Sequence, residues 1–205
     1  MLLSVIYLIA ISAEAMTGAL AAGKRRMDLF GVIIIACVTA LGGGSLRDVL
    51  LGHYPLGWVA HPEYLGFTIC AALVATWLAR WMHHFRRPFL VLDGLGLVAF
   101  TLIGCAVARE AGHAPPIVLI AGMLTGAFGG VLRDVLCNEV PLIFQKELYA
   151  VVSLLTGAAY LLLLEVRVPQ DIATLLCLGG GFALRLMAIR FRWEMPKFVH
   201  HDSAH

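Results

Sequence analysis

The sequence predicts an all-α polytopic membrane protein, with seven transmembrane helices arranged as two inverted three-helix repeats followed by a seventh helix. Three observations carry that prediction. The 205 residues are 60% hydrophobic and only 14% charged, where a soluble domain carries about a quarter charged residues, and mean hydropathy is +0.88. Seven apolar runs each approach the ~20 residues needed to cross ~30 Å of hydrocarbon. An internal echo relates the first three runs to the next three.

The runs fall at about 2–22, 29–50, 64–82, 89–108, 115–136, 148–166 and 171–190. The first resembles a signal peptide, because SAEA at 12–15 looks like a cleavage site. No positive segment precedes it, however, and the repeat requires it as a helix. Glu14 lies in its middle. An acid at that depth stays protonated, pairs, or lines a wet path, with hydrogen-bonded packing as the plainer alternative. The second run carries GGGSLRDVL at 42–50, and the fifth carries GGVLRDVL at 129–136. The third run is the weakest, with Arg80 and Trp81 at its end. The fourth opens with Asp93 beside Gly94 and Gly96, which reads as an interfacial cap. The seventh holds Gly179, Gly180, Gly181 and Arg185, and its glycines read as a packing seam.

The two Arg-Asp pairs are 133 − 47 = 86 residues apart. At that offset, residues 39–50 and 125–136 are identical at eight of twelve positions. Pro55 and Leu56 then fall on Pro141 and Leu142, Gly18 on Gly104, and Tyr7 on Asp93; after a two-residue deletion, Glu63 falls on Glu147. The chain therefore divides into repeats at 5–84 and 88–167, a seventh helix at 168–192 and a polar cytoplasmic tail at 193–205, all within one integral membrane domain of residues 1–205. Three helices per repeat is an odd number, so the second repeat must enter the membrane from the opposite side. Inverted repeats with Gly-interrupted segments at matching positions point to a transport site where the halves meet.

Lys and Arg give the orientation. With the N-terminus outside, Lys24, Arg25, Arg26, Arg80, Arg86, Arg87, Lys146, Arg185, Arg190, Arg192 and Lys197 fall inside, and Arg109 and Arg167 fall outside. The HHFRR segment at 83–87 reads as an inside anchor. The C-terminus is then cytoplasmic and the protein sits in the cell's inner membrane.

A single glycine cluster is open to two readings, close helix packing or a break at a wet path. Two clusters at repeat-related positions, each followed by Arg-Asp, favour the break: Gly42, Gly43 and Gly44 in one, Gly129 and Gly130 in the other. Arg47 and Asp48 point about 100° apart on a helix, as do Arg133 and Asp134, so each charge is expected to find its partner elsewhere, across the bundle. The competing reading has both arginines snorkelling to headgroups. The five cysteines and eight histidines form no disulfide framework or metal-ligand spacing. No nucleophile elbow or phosphate loop is present. Neither catalysis, a cofactor, a fixed metal site nor a nucleic-acid partner is expected.

The stretches AEAMTGALAAGKRRMDLFG (13–31), TALGGGSLRDVLLG (39–52), LDGLGLVAFTLIG (92–104) and GGVLRDVLCNEVPLIFQKELYA (129–150) resemble the prokaryotic trimeric intracellular cation (TRIC) channel family. The same proteins are also classed as carrying paired glycine-transporter domains. The resemblance spans about 5–192. It implies a homotrimer in membrane lipid with one water-filled path per protomer for K⁺ or Na⁺, and kinks in helices 2 and 5 at the glycine motifs. Phe128 stands where the second motif's first glycine is expected, a departure from a symmetric path. The expected pore and gating residues are Gly42, Gly43, Gly44, Arg47, Asp48, Gly129, Gly130, Arg133, Asp134 and Glu14. A glycine transporter using the same site is the alternative. A purely structural membrane protein is the third reading, disfavoured by the intramembrane charges.

Overall fold

A computed structural model describes residues 2–79, 86–145, 148–191 and 193. Among these the chain forms nine helices: α1 (Leu2–Lys24), α2 (Leu29–Leu51), α3 (Gly57–Ala60), α4 (Glu63–Ala79), α5 (Arg86–Glu110), α6 (Pro115–Leu136), α7 (Leu142–Gln145), α8 (Tyr149–Glu165) and α9 (Gln170–Phe191). Five are long and apolar enough to cross a membrane: α1, α2, α5, α6 and α9. The other two long helices, α4 and α8, have 17 residues each, about 26 Å at 1.5 Å per residue. The protein is an all-helical polytopic membrane protein. Arg80, Trp81, the histidines of HHFRR, Lys146, Glu147, Arg192 and the tail from 194 lie outside the described residues.

Local chemistry sets the helix ends. Asp28 caps α2, its Oδ1 accepting from the Gly31 N–H at 2.7 Å. Pro in the first turn of α6 costs no intrahelical hydrogen bond there. Gly52 (φ 65°) closes α2 in the left-handed conformation, and Asn138 (φ 52°), which lies 86 residues on, follows α6 in the same conformation.

The interior is built from small residues and the rim from large ones. Ala10, Ala15, Ala36, Ala72 and Ala108 are fully buried, while Phe30, Trp77, Leu162 and Leu176 face outward. This is the pattern of helices that pack by close approach, because lipid tails and leucine are equally apolar. Helix α1 packs against α2, α4 and α5; α5 against α6; α9 against α5 and α8; and α2 crosses α6 at the centre.

That central crossing corrects the expectation of a break. Both α2 and α6 run through their glycine motifs as unbroken helix. A methyl group on Gly43 would strike the backbone carbonyl of Thr125, and one on Gly129 would strike that of Thr39. Each glycine is offset by 86 residues from the other, and so is each threonine. Similarly, Gly18 abuts Ile35, Ala36 and Thr39, and Gly104 abuts Ala121 and Thr125. The glycines admit a facing backbone, which the hydrogen-bonded helix tolerates without opening. In α9, Gly181 lies against Thr156 and Val98, but Gly179 and Gly180 meet nothing and are exposed, so only one of the three belongs to a seam within the protomer.

Gly129→Val forces the two central helices apart. Overpacking of this kind costs about 1–3 kcal/mol or more, so the detergent-solubilised variant should show a clearly lower thermal midpoint. Gly180→Ala, into open space, should leave the midpoint within error.

Candidate functional site

The two Arg-Asp pairs lie in the last turns of α2 and α6, one at either end of the central crossing. In both, the aspartate is anchored twice. Asp48 Oδ1 accepts from Arg47 Nε (3.0 Å) and Nη2 (2.6 Å), and its Oδ2 from the backbone N–H of Gly57, which opens α3 (3.3 Å). Asp134 Oδ1 accepts from Arg133 Nε (2.8 Å), and its Oδ2 from the N–H of Leu142, which opens α7 (3.0 Å). Each pair therefore fixes the chain where it turns back toward the next long helix.

This overturns the expectation that neighbouring Arg and Asp cannot pair. The 100° between their Cα–Cβ directions holds, but an arginine stem is long enough to fold its guanidinium back around the helix. Burial makes that geometry favourable, because an unpaired buried charge is far more costly than a bent stem. Snorkelling is excluded for both: Arg47 is 7% exposed and Arg133 0%.

Beyond the shared scaffold the ends differ. Around Arg47 the acid is Asp48 alone, with exposed His53 Nδ1 at 3.2 Å from Asp48. Trp58 donates to Ser45 Oγ at 3.1 Å, and the Tyr7 ring packs tilted against Tyr64 and edge-on against Phe100. Arg133 instead meets three carboxylates. Its Nη1 lies 2.8 Å from Asp93 Oδ1, 3.0 Å from Thr17 Oγ1 and 3.8 Å from Glu14 Oε2, while its Nε holds Asp134. Thr17 also donates to Glu14 Oε2 at 2.9 Å. The Phe89 ring covers the guanidinium, with Cζ 4.6 Å from the ring centre. Cross-bundle pairing, expected for both arginines, thus occurs at Arg133 in addition to the local pair.

Two glycines of α5 make this burial possible. Glu14 lies flat on Gly96, where any side chain would occupy the same space, and the stem of Arg185 crosses α5 at Gly94. Arg185 is 1% exposed and stacks on Tyr149, with Cζ 4.7 Å from the ring centre. Arg185 is therefore a core residue of α9, not the inside-loop charge that the orientation count made of it. Asp93 is likewise fully buried two turns into α5, not an interfacial cap.

Asp93, Thr17, Phe89, Tyr149 and Arg185 are the site members that sequence reasoning missed. One signal was available. Asp93 aligns with Tyr7 at the repeat offset, which marks a charge introduced at a position that is aromatic in the first repeat. Gly42 contacts Leu132, whereas Gly44 has only Arg47 within reach of an added methyl. Gly130 stands beside Arg133, Tyr149 and Asp93.

A cavity of about 640 Å³ opens beside the Arg133 cluster, lined by Ala19, Lys24, Phe89, Asp134, Glu139 and Leu142 among others. At its rim Lys24 and Arg25 hold Glu139 at 2.9 and 2.7 Å. The hydrogen bond and charge of Lys24, with Arg25 behind it, keep the Glu139 carboxyl below its ordinary range.

Comparison with known proteins identifies the family. A family model described as glycine transporter matches residues 4–80 and again 90–165. The UPF0126 inner membrane protein YadS of Escherichia coli K12 is 36% identical over 191 residues, 92% of both chains. A UPF0126 membrane protein of Vibrio cholerae is 34% identical over 90% of this chain and 78% of its own. The TRIC orthologue of Rhodobacter sphaeroides superposes with a TM-score of 0.85 at 33% identity, covering 92% of this chain and 95% of that one. This chain belongs to the TRIC family. A further TRIC cation channel structure, solved to explain conductance, matches with a TM-score of 0.88 at 33% identity over 98% of both chains. In this TRIC member Arg47 and Arg133 are both committed to acids, and three acidic side chains gather around Arg133 beside the cavity.

Arg133→Met strips Glu14, Asp93 and Asp134 of their shared guanidinium. Breaking a buried pair from one side costs about 3–5 kcal/mol, so the variant should unfold at markedly lower temperature unless the medium is acid enough to protonate the orphaned carboxylates. Lys24→Ala, at the exposed rim, should leave the thermal midpoint unchanged.

Proposed function

We propose that this protein is a channel for monovalent cations, chiefly K⁺, and that it conducts through each protomer of a homotrimer. The observation that carries the reading is the buried cluster of Glu14, Asp93 and Asp134 around Arg133, next to an open cavity. Acidic oxygens lining a path are ligands for cations and not for anions. Both arginines, which as bare charges would repel a cation, are neutralised by their own aspartates. Kinship with TRIC cation channels supports the same reading.

In the proposed arrangement all seven long helices cross the inner membrane, α1–α4 and α5–α8 as inverted units, with the N-terminus outside and the C-terminus in the cytoplasm. The Arg47 pair then belongs to the outer half of the path and the Arg133 cluster to the inner half. The glycine crossing of α2 and α6 lies between them, built from Gly42, Gly43 and Gly129, with Gly44 beside Arg47 and Gly130 beside Arg133.

The glycine-transporter alternative draws on the description of the matching family model. It relies on half-helix N-termini to hold a substrate carboxylate. Unbroken α2 and α6 offer none within the bundle, and both guanidiniums already bind acids. The channel reading is therefore preferred.

Planar-bilayer recording under a KCl gradient, run beside labelled glycine uptake into liposomes, separates the two. The channel reading predicts unitary K⁺-selective currents unaffected by glycine. Saturable, glycine-competed uptake without unitary currents would replace it with the transporter. Arg133→Ala should change flux or gating strongly, whereas Arg25→Ala at the cavity rim should not; equal, negligible effects would remove Arg133 from the mechanism.

A further inference from the structure

We infer that Phe89 is the gate between the cavity and the buried charge cluster, an inference that rests on the channel reading above. Five residues touch the Arg133 side chain: Glu14, Thr17, Phe89, Asp93 and Asp134. Of these, only Phe89 and Asp134 also line the cavity. These two side chains therefore stand both at the cavity and on Arg133, between the cavity and the acids Glu14 and Asp93 that share that guanidinium.

Asp134 is not free to move. One of its oxygens is held by Arg133 and the other by the backbone of Leu142. Phe89 has no polar anchor. Its ring rests on the guanidinium face through a single cation–π contact. It also sits in the first turn of α5, directly after Pro88, where a helix has the fewest internal hydrogen bonds to lose.

Behind the ring, polar capacity is in place. Asp93 Oδ2 and Arg133 Nη2 make no hydrogen bond among the described residues, although both side chains are fully buried. Buried polar atoms of this kind are uncommon and call for an explanation. Swinging Phe89 away exposes both to the cavity, whose rim carries Lys24, Arg25 and Glu139. Water and a cation then reach Asp93 while Arg133 stays paired to Asp134. The first repeat has no counterpart, since Leu3 stands at the matching position, so the gate belongs to one end only.

The test compares wild type with Phe89→Ala, Phe89→Leu and Phe89→Tyr in full-length protein reconstituted into liposomes and bilayers. Potassium flux and single-channel open probability are the first readout. The second is independent of conduction. In a cysteine-free background bearing Thr17→Cys, the rate of modification by a positively charged methanethiosulfonate reagent reports access to the cluster. Phe89→Ala should raise both readouts about tenfold, the scale set by losing one cation–π contact. Phe89→Tyr, which keeps the ring, should match wild type, and Phe89→Leu should fall between.

Wild-type flux and labelling in Phe89→Ala overturn the gate. Should Phe89→Ala fail to fold, Leu and Tyr variants that behave alike overturn it equally. If wild type passes no potassium at all, the channel reading fails, while the labelling rates still decide whether Phe89 bars the cavity from the cluster.

Discussion

A guanidinium buried where water cannot reach it must be surrounded by acceptors, and Arg133 imposes that requirement on the bundle. Its partners come from α1 (Glu14, Thr17), α5 (Asp93) and its own α6 (Asp134). Asp134 passes the constraint on to α7 through Leu142. Removing Arg133 would leave three buried acids without their shared guanidinium, so this one side chain ties α1, α5 and α6 together. That suits a membrane protein, in which burying leucine against leucine gains little over leucine against lipid.

The charge cluster needs helices close enough for short side chains to meet, and glycine provides that. At the α2–α6 crossing, Gly43 and Gly129 each receive a threonine carbonyl from the opposite helix. On α5, Gly96 gives Glu14 a place to lie and Gly94 gives Arg185 a passage. The same residue type thus does two jobs: it brings backbones together at the centre and admits long charged side chains beside Asp93. Neither job requires the helix to open.

The two ends share an Arg-Asp scaffold yet differ in charge. At Arg47 one acid balances one base, and aromatic rings fill the remaining space. At Arg133 three acids gather beside a cavity. The scaffold is thus asymmetric in its acids even though its backbone contacts pair off at an 86-residue offset. The difference comes from a few substitutions: Asp93 where the first repeat has Tyr7, and Glu14 where the second has Phe100.

Composition and hydropathy were enough to show an all-helical membrane protein, five of whose helices are long and apolar enough to cross, because apolar length and helix periodicity are properties of the chain's own residues. Glu14, Arg47, Asp48, Arg133 and Asp134 were legible too, since a charge in an apolar run is conspicuous. Partnership was not legible. Whether Arg47 reaches its neighbour Asp48, whether Asp93 lies at an interface or in the core, and whether Arg185 faces a loop or Tyr149 all depend on side-chain reach and on which helix lies alongside. The glycine motifs show this best. In sequence GGGSLRDVL is equally a break or a seam, because flexibility and smallness are the same property of glycine. Only the facing carbonyl of Thr125, brought there by a helix about eighty residues away, makes it a seam.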